Sequence, residues 1–86
     1  MILIVAYDIT NDKIRNKIAG YLEKKGRRIQ KSVFILDIEK YKFKKVLKDL
    51  QNLNSKDGIM HIFSLCKGCK KRAVFIGEKM QEYLIF

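Results

Sequence analysis

One carboxylate stands out in this sequence. Asp8 closes the apolar run Ile2-Leu3-Ile4-Val5-Ala6-Tyr7 and shortly precedes Thr10 and Asn11, side chains suited to capping a helix. At a strand-to-helix junction, backbone N–H groups and the positive end of the helix dipole favour phosphate. A carboxylate there can hold Mg²⁺ or Mn²⁺, which prefer oxygen ligands. Such an ion polarises a phosphodiester and activates water. One carboxylate per chain is a poor site, so a complete shell needs a second Asp8 across a two-fold axis, with water or phosphate oxygens. The ordinary role of an aspartate after a strand is a turn or a helix cap. Position alone does not choose between these roles.

Basic residues form the second constellation. Arg15 and Lys17 follow Asp8 within the first expected helix, and Arg27, Arg28 and Lys31 enter the second expected strand. Arginine grips phosphate bidentately and lysine acts as a point charge. Such contacts position a backbone without reading bases. The 86 residues carry 19 Lys plus Arg against 9 Asp plus Glu, a net charge of +10. That field favours a polyanion, either nucleic acid or an acidic membrane surface, although part of it is ordinary solvated charge. The run Met1 to Ala6 ends far short of the ~20 residues of a membrane span. No basic region precedes it, so it does not read as a secretory signal, and a cytoplasmic protein with no membrane partner is expected.

Other reactive residues support less. His61 is the single histidine, and no triad-like serine or cysteine accompanies it. A strand histidine with a satisfied hydrogen bond is expected. Cys66-Lys67-Gly68-Cys69 is a lone CxxC. A zinc site needs four ligands and therefore two copies of the motif, so reduced cysteines in a tight hairpin are expected.

The elements that must position these groups follow from the hydrophobic pattern. Ile2 to Tyr7 reads as a buried strand. Ile14, Ile18, Tyr21 and Leu22 recur at helical spacing, and Gly26 stands where a left-handed residue would stop that helix. Arg28 to Ile38 reads as the second strand. Phe43, Val46, Leu47, Leu50 and Leu53 line a second helix whose other faces carry lysines. Asp57-Gly58 turns the chain into a third strand, Ile59 to Leu65, and Arg72 to Ile76 reads as a fourth. The expected fold is α+β, a single ferredoxin-like βαββαβ domain over residues 1–86, with an antiparallel sheet and both helices on one face.

The other face of that sheet should be polar, and it is not. Ile2, Ile4 and Ala6 oppose Leu3, Val5 and Tyr7; Val33 and Ile35 oppose Phe34, Leu36 and Ile38; Ile59, Phe63 and Leu65 oppose Met60 and Ile62. Both faces are apolar, yet the helices cover only one. A second copy is the simplest cover, so a homodimer through the sheets is expected. The apolar end Tyr83-Leu84-Ile85-Phe86 fits the same picture, with residues 81–86 pairing as an edge strand with the partner protomer.

Tyr7-Asp8-Ile9-Thr10, then Ile14-Arg15-Asn16-Lys17, then Arg28-Ile29-Gln30-Lys31-Ser32-Val33-Phe34 resemble the CRISPR-associated Cas-two family, and the resemblance spans the whole chain. It implies a ferredoxin-like homodimer with the aspartates facing each other. It also implies metal-dependent nuclease activity on single-stranded RNA or duplex DNA, and a scaffold role beside the integrase subunit in spacer acquisition. The family's metal ligand and catalytic aspartate falls on Asp8, with Tyr7 beside it. Its basic residues fall on Arg15, Lys17 and Arg28, and the aromatic of its last motif on Phe34. Lys17 stands where some relatives have arginine, and Ile14 where many have a basic residue. Two functions follow: an Mg²⁺- or Mn²⁺-dependent endonuclease in antiviral defence, or a non-catalytic DNA-binding scaffold of the integration complex. An RNA-recognition domain of the same element order fits less well, because it would display stacking aromatics where this sheet carries mainly aliphatics.

Overall fold

The computed structural model describes residues 1–56 and 58–65. Asp57, the Cys66–Cys69 loop, the expected strand at Arg72–Ile76 and the apolar end at residues 81–86 lie outside them. Strand β1 (Ile2–Asp8) leads to helix α1 (Asp12–Glu23), and a hairpin of β2 (Gly26–Gln30) and β3 (Val33–Asp37) follows. A 3-10 turn (Lys40–Lys42) then opens helix α2 (Phe43–Leu53), and β4 (Ile59–Leu65) closes the sheet. The spatial order is β2-β3-β1-β4, with every neighbouring pair antiparallel. This is the ferredoxin-like βαββαβ arrangement, complete by Leu65.

Two expectations are corrected. The strand read across Arg28–Ile38 is a hairpin folded at Lys31-Ser32, and it supplies the two consecutive strands between the helices that the βαββαβ order requires and the expected elements lacked, so the sheet reaches four strands without Arg72–Ile76. Polar Arg27, Arg28 and Gln30 gave no turn signal of their own; the break shows only in the pairing of Gln30 with Val33. Gly26 does not stop α1 in a left-handed conformation. Lys24 caps that helix in right-handed geometry, and Gly26 starts β2. A Cβ at Gly26 would run into the carbonyl oxygen of Ile35 and come within 2.9 Å of Leu36 Cα. Glycine is there to let β2 approach β3, a close backbone contact that no side chain tolerates.

Local chemistry explains the helices. The Asn11 side chain accepts a hydrogen bond from the Ile14 N–H at 3.0 Å, and Asp12 adds an acid to the first turn, both favourable at a helix N-terminus. Ile18, Ala19 and Leu22 then bury one face of α1, and Val46 and Leu50 one face of α2. These residues pack with Leu3, Val5, Tyr7, Phe34 and Leu36 into one core, with Met60 and Ile62 against its edge. Phe34, Leu3, Val5, Leu22 and Leu36 are fully enclosed.

Among the described residues, the opposite side of the sheet carries no helix. Ile2, Ile4, Ala6 and Asp8 lie there on β1, with Val33 and Ile35 on β3 and Ile59, His61, Phe63 and Leu65 on β4, as the pairing register requires. Ile2 and Ile35 are buried, but Ile59 and Phe63 are 56% and 55% exposed. The two-faced apolar pattern read from the sequence is therefore present in the folded sheet.

Candidate nucleic-acid interface

Because side chains alternate along a strand, neighbouring residues Tyr7 and Asp8 part company. Tyr7 turns to the helix side and is 6% exposed. Its N–H donates to the Ser32 carbonyl at 3.0 Å, fastening β1 to the hairpin turn. Its ring stacks on Phe34 with centroids 6.3 Å apart and planes 19° from parallel. Burial pushes the Tyr7 hydroxyl above its ordinary pKa, partly opposed by the charges of Arg28 and Arg15. It is a neutral hydrogen-bonding group at physiological pH.

Arginine collects around that aromatic pair. The Arg28 guanidinium carbon lies 5.1 Å from the Phe34 ring centroid, and its Nη2 donates to Glu23 Oε1 at 3.0 Å. Arg15 donates through Nη1 to the Ile9 carbonyl at 3.2 Å and through Nη2 to the Asp12 carboxylate, which anchors the β1–α1 connection. Arg15, Arg28, Lys31 and Tyr7 line a common cavity of about 220 Å³, together with Asn16 and Ala19. Lys31 pairs with no carboxylate among the described residues. An open basic pocket of this kind suits a phosphate group, with two forked donors and one point charge around it.

The structure thus brings together Tyr7, Arg15, Arg28, Lys31 and Phe34 of the residues singled out in the sequence. Lys17 is not among them. It is exposed on α1, two positions and about 200° around the helix from Arg15. Arg27 and Arg28 are also separated, since β2 pairs them with Ile35 and Phe34 on opposite faces. Asn16 and Glu23 were missed. Asn16 lies inside a motif already noted, but Glu23 meets Arg28 only because the chain reverses between α1 and β2, which no fixed spacing announces.

Asp8 sits apart, exposed at the end of β1 and opposite Ile59 of β4. It occupies the helix-free side, at the same end of the sheet as the basic pocket. Its oxygens suit a hard divalent cation, but no group of three or more His, Cys, Asp or Glu side chains lies together among the described residues. Among the described residues Asp8 is therefore a single carboxylate and not a finished metal site. His61 is on the same side, exposed and edge-on to Phe63 at 6.3 Å. Among the described residues no helix is long and apolar enough to cross a membrane.

Known proteins share the fold and much of the sequence. The family described as CRISPR associated protein Cas2 matches residues 1–73. The chain is 34% identical over 76 residues to CRISPR-associated endoribonuclease Cas2 2 of Methanospirillum hungatei, covering 88% of this chain and 85% of that one. It is 32% identical over 80 residues to CRISPR-associated endoribonuclease Cas2 1 of Chloroflexus aurantiacus, covering 91% and 86%. Its fold superimposes on the crystal structure of Streptococcus pyogenes Cas2 at pH 6.5 with a TM-score of 0.78 at 22% identity, covering 90% of this chain and 100% of that chain. A chain of a partial Cas6-RT-Cas1–Cas2 complex gives a TM-score of 0.74 at 25% identity, covering 92% and 93%. With the family match running through β1, the basic hairpin and β4, this chain belongs to the CRISPR-associated Cas2 family.

Proposed function

We propose that the protein is a metal-dependent endonuclease of CRISPR spacer acquisition, acting as a homodimer on single-stranded RNA or duplex DNA. The observation that carries this is the position of Asp8. It is an exposed carboxylate at the end of β1, on a helix-free apolar side, with the Arg15–Arg28–Lys31 pocket at the same end of the sheet. Two copies joined through Ile4, Ile59 and Phe63 would remove the apolar side from water and face Asp8 with its counterpart. The two relatives named as endoribonucleases support the chemistry.

The pair of Asp8 carboxylates would hold one Mg²⁺ or Mn²⁺, which supplies positive charge against the charge developing on the phosphodiester. Arg15, Arg28 and Lys31 would hold neighbouring phosphates and fix the strand relative to Asp8. Hydrolysis then places a water oxygen on phosphorus as the bond to the leaving oxygen breaks. The water's proton goes to solvent, and the leaving oxygen takes one up.

A second reading has its own support. The absence of further metal-ligating side chains beside Asp8 among the described residues and the likeness to a chain of a Cas1–Cas2 complex favour a DNA-binding scaffold for an integrase subunit. One assay separates the two. Single-stranded RNA and duplex DNA are incubated with Mg²⁺, Mn²⁺ or chelator, using the parent and Asp8→Ala. A loss of cleavage by at least about 100-fold in the variant, with binding retained, is expected for the enzyme. Equal rates in parent and variant would rule out a nuclease built on Asp8, while intact complex assembly by Asp8→Ala would leave the scaffold standing.

A further inference from the structure

The outer side of the helices, away from Asp8, holds another group of charged and aromatic side chains. α1, the 3-10 turn and α2 enclose a solvent-open cavity of about 350 Å³. Tyr21 stands on one wall and Tyr41 on the other, with Lys25, Lys42 and Lys45 around them. Asp49 is the single acid in the lining. Its carboxylate accepts hydrogen bonds from the Tyr21 hydroxyl at 2.8 Å and from Lys45 Nζ at 3.4 Å. The Tyr21 hydrogen bond holds the Asp49 carboxyl below its ordinary pKa; burial opposes this, and Lys45 and Lys25 assist it.

Asp49 and Lys45 thus offset one another, leaving Lys25 and Lys42 as excess positive charge. Lys25 Nζ lies 5.3 Å from the Tyr21 ring centroid and Lys42 Nζ 5.8 Å from that of Tyr41. Lys42 also lies 3.8 Å from Glu39, an exposed pair that binds it weakly. Tyr41 is 76% exposed, the most open large hydrophobic residue among those described. Nothing in the packing requires an aromatic ring there.

An exposed ring flanked by cations is the arrangement on which unpaired bases stack while lysines meet the phosphates. A duplex keeps its bases stacked internally and cannot use the ring. A helical partner would need an aliphatic surface, and the only aliphatic side chain in the lining, Val46, is 2% exposed. An acidic peptide would engage the lysines but leave Tyr41 without a role. The cavity lies at the small end of the range for ligand sites, about 300–1,000 Å³, so it suits one base rather than a helix.

We propose that this cavity is a docking site for an unpaired nucleic-acid segment, with a base stacked on Tyr41 and phosphates against Lys25 and Lys42. It shares with the function proposed above only its nucleic-acid ligand, single-stranded RNA included, and none of the residues that line the Arg15–Arg28–Lys31 pocket. Binding here without any cleavage at Asp8 would leave it intact.

The test measures fluorescence anisotropy of a labelled mixed-sequence single strand, and of the same sequence as a duplex, in an Asp8→Asn background that preserves the probe. Tyr41→Ala should weaken single-strand binding about tenfold and duplex binding less than twofold; Tyr41→Phe should retain the parent's affinity. Lys25→Gln and Lys42→Gln should each reduce the single-strand salt slope by about 0.7. Because Tyr41 is exposed, circular dichroism of its variants should match the parent. Equal losses on both probes, or none, would overturn the proposal. So would polyglutamate that displaces the single strand equally well from the parent and from Tyr41→Ala, since a peptide site would then explain the lysines.

Discussion

Tyr7 and Asp8 are joined by one peptide bond and have opposite fates. Tyr7 is buried between the sheet and α1, stacked on Phe34, within a basic pocket that the helix side supplies. Asp8 stands exposed on the side that no helix among the described residues reaches. The helix side is finished within one chain: its core is closed and two of its three pocket cations have carboxylate partners. Among the described residues the other side is unfinished, with Ile59 and Phe63 largely exposed and Asp8 as a lone potential ligand. On the function proposed above, phosphate holding would fall to the single protomer and metal binding at Asp8 to a pair of copies.

One phenylalanine on each face of the sheet separates the two sides. Phe34 is fully enclosed, and Phe34→Ala should cost about 3–5 kcal/mol in urea denaturation. Phe63 is 55% exposed. Phe63→Asp should keep the parent's circular dichroism yet sediment as isolated subunits. A Phe63→Asp protein that sediments like the parent would break the comparison, because the helix-free side would then play no part in assembly.

An intermediate effect concerns the hydrogen bond between the two helices. Asp49 is held below its ordinary pKa of 3.8, so its contribution is present above that value and disappears as pH falls through the lower folded value. Tyr21 is raised above 10.0 by burial first and by Asp49 second, so its contribution is present below 10.0 and is lost as pH rises through the folded value. Between these limits Tyr21→Phe should melt a few degrees below the parent, and the two curves should converge at acid pH. A constant difference down to strong acid would remove the link to Asp49.

How much of this was legible in the sequence depends on the range of the contact. The Asn11 cap, the apolar faces of α1 and α2 and the two-sided greasiness of β1 are local patterns, and each has its counterpart in the structure. The hairpin at Lys31-Ser32 was hidden, because apolar Ile29 and Val33 on either side of the turn read as one strand. The role of Gly26 was hidden too, since it depends on the backbone of β3 and not on the end of α1. At the site, the basic residues and Phe34 were visible as types, but their grouping was not. Alternation along β2 sends Arg27 and Arg28 to opposite faces, and helical rotation takes Lys17 away from Arg15. The Tyr21–Asp49 contact spans 28 positions and has no sequence signature.

A small stability effect is expected at the pocket. Arg28→Ala removes a partly exposed ion pair with Glu23 and a cation–ring contact with Phe34, together about 1 kcal/mol or less. Its effect on nucleic-acid affinity should exceed its effect on stability. A protein destabilised by several kcal/mol would show instead that Arg28 is chiefly structural.

Whether two copies of Asp8 together hold one divalent ion is decided by counting bound Mn²⁺ with electron paramagnetic resonance. One ion for every two chains is expected in the parent, and none in Asp8→Asn or in the Phe63→Asp subunit. Mn²⁺ bound equally well by Asp8→Asn, or one ion for each isolated chain, would contradict it.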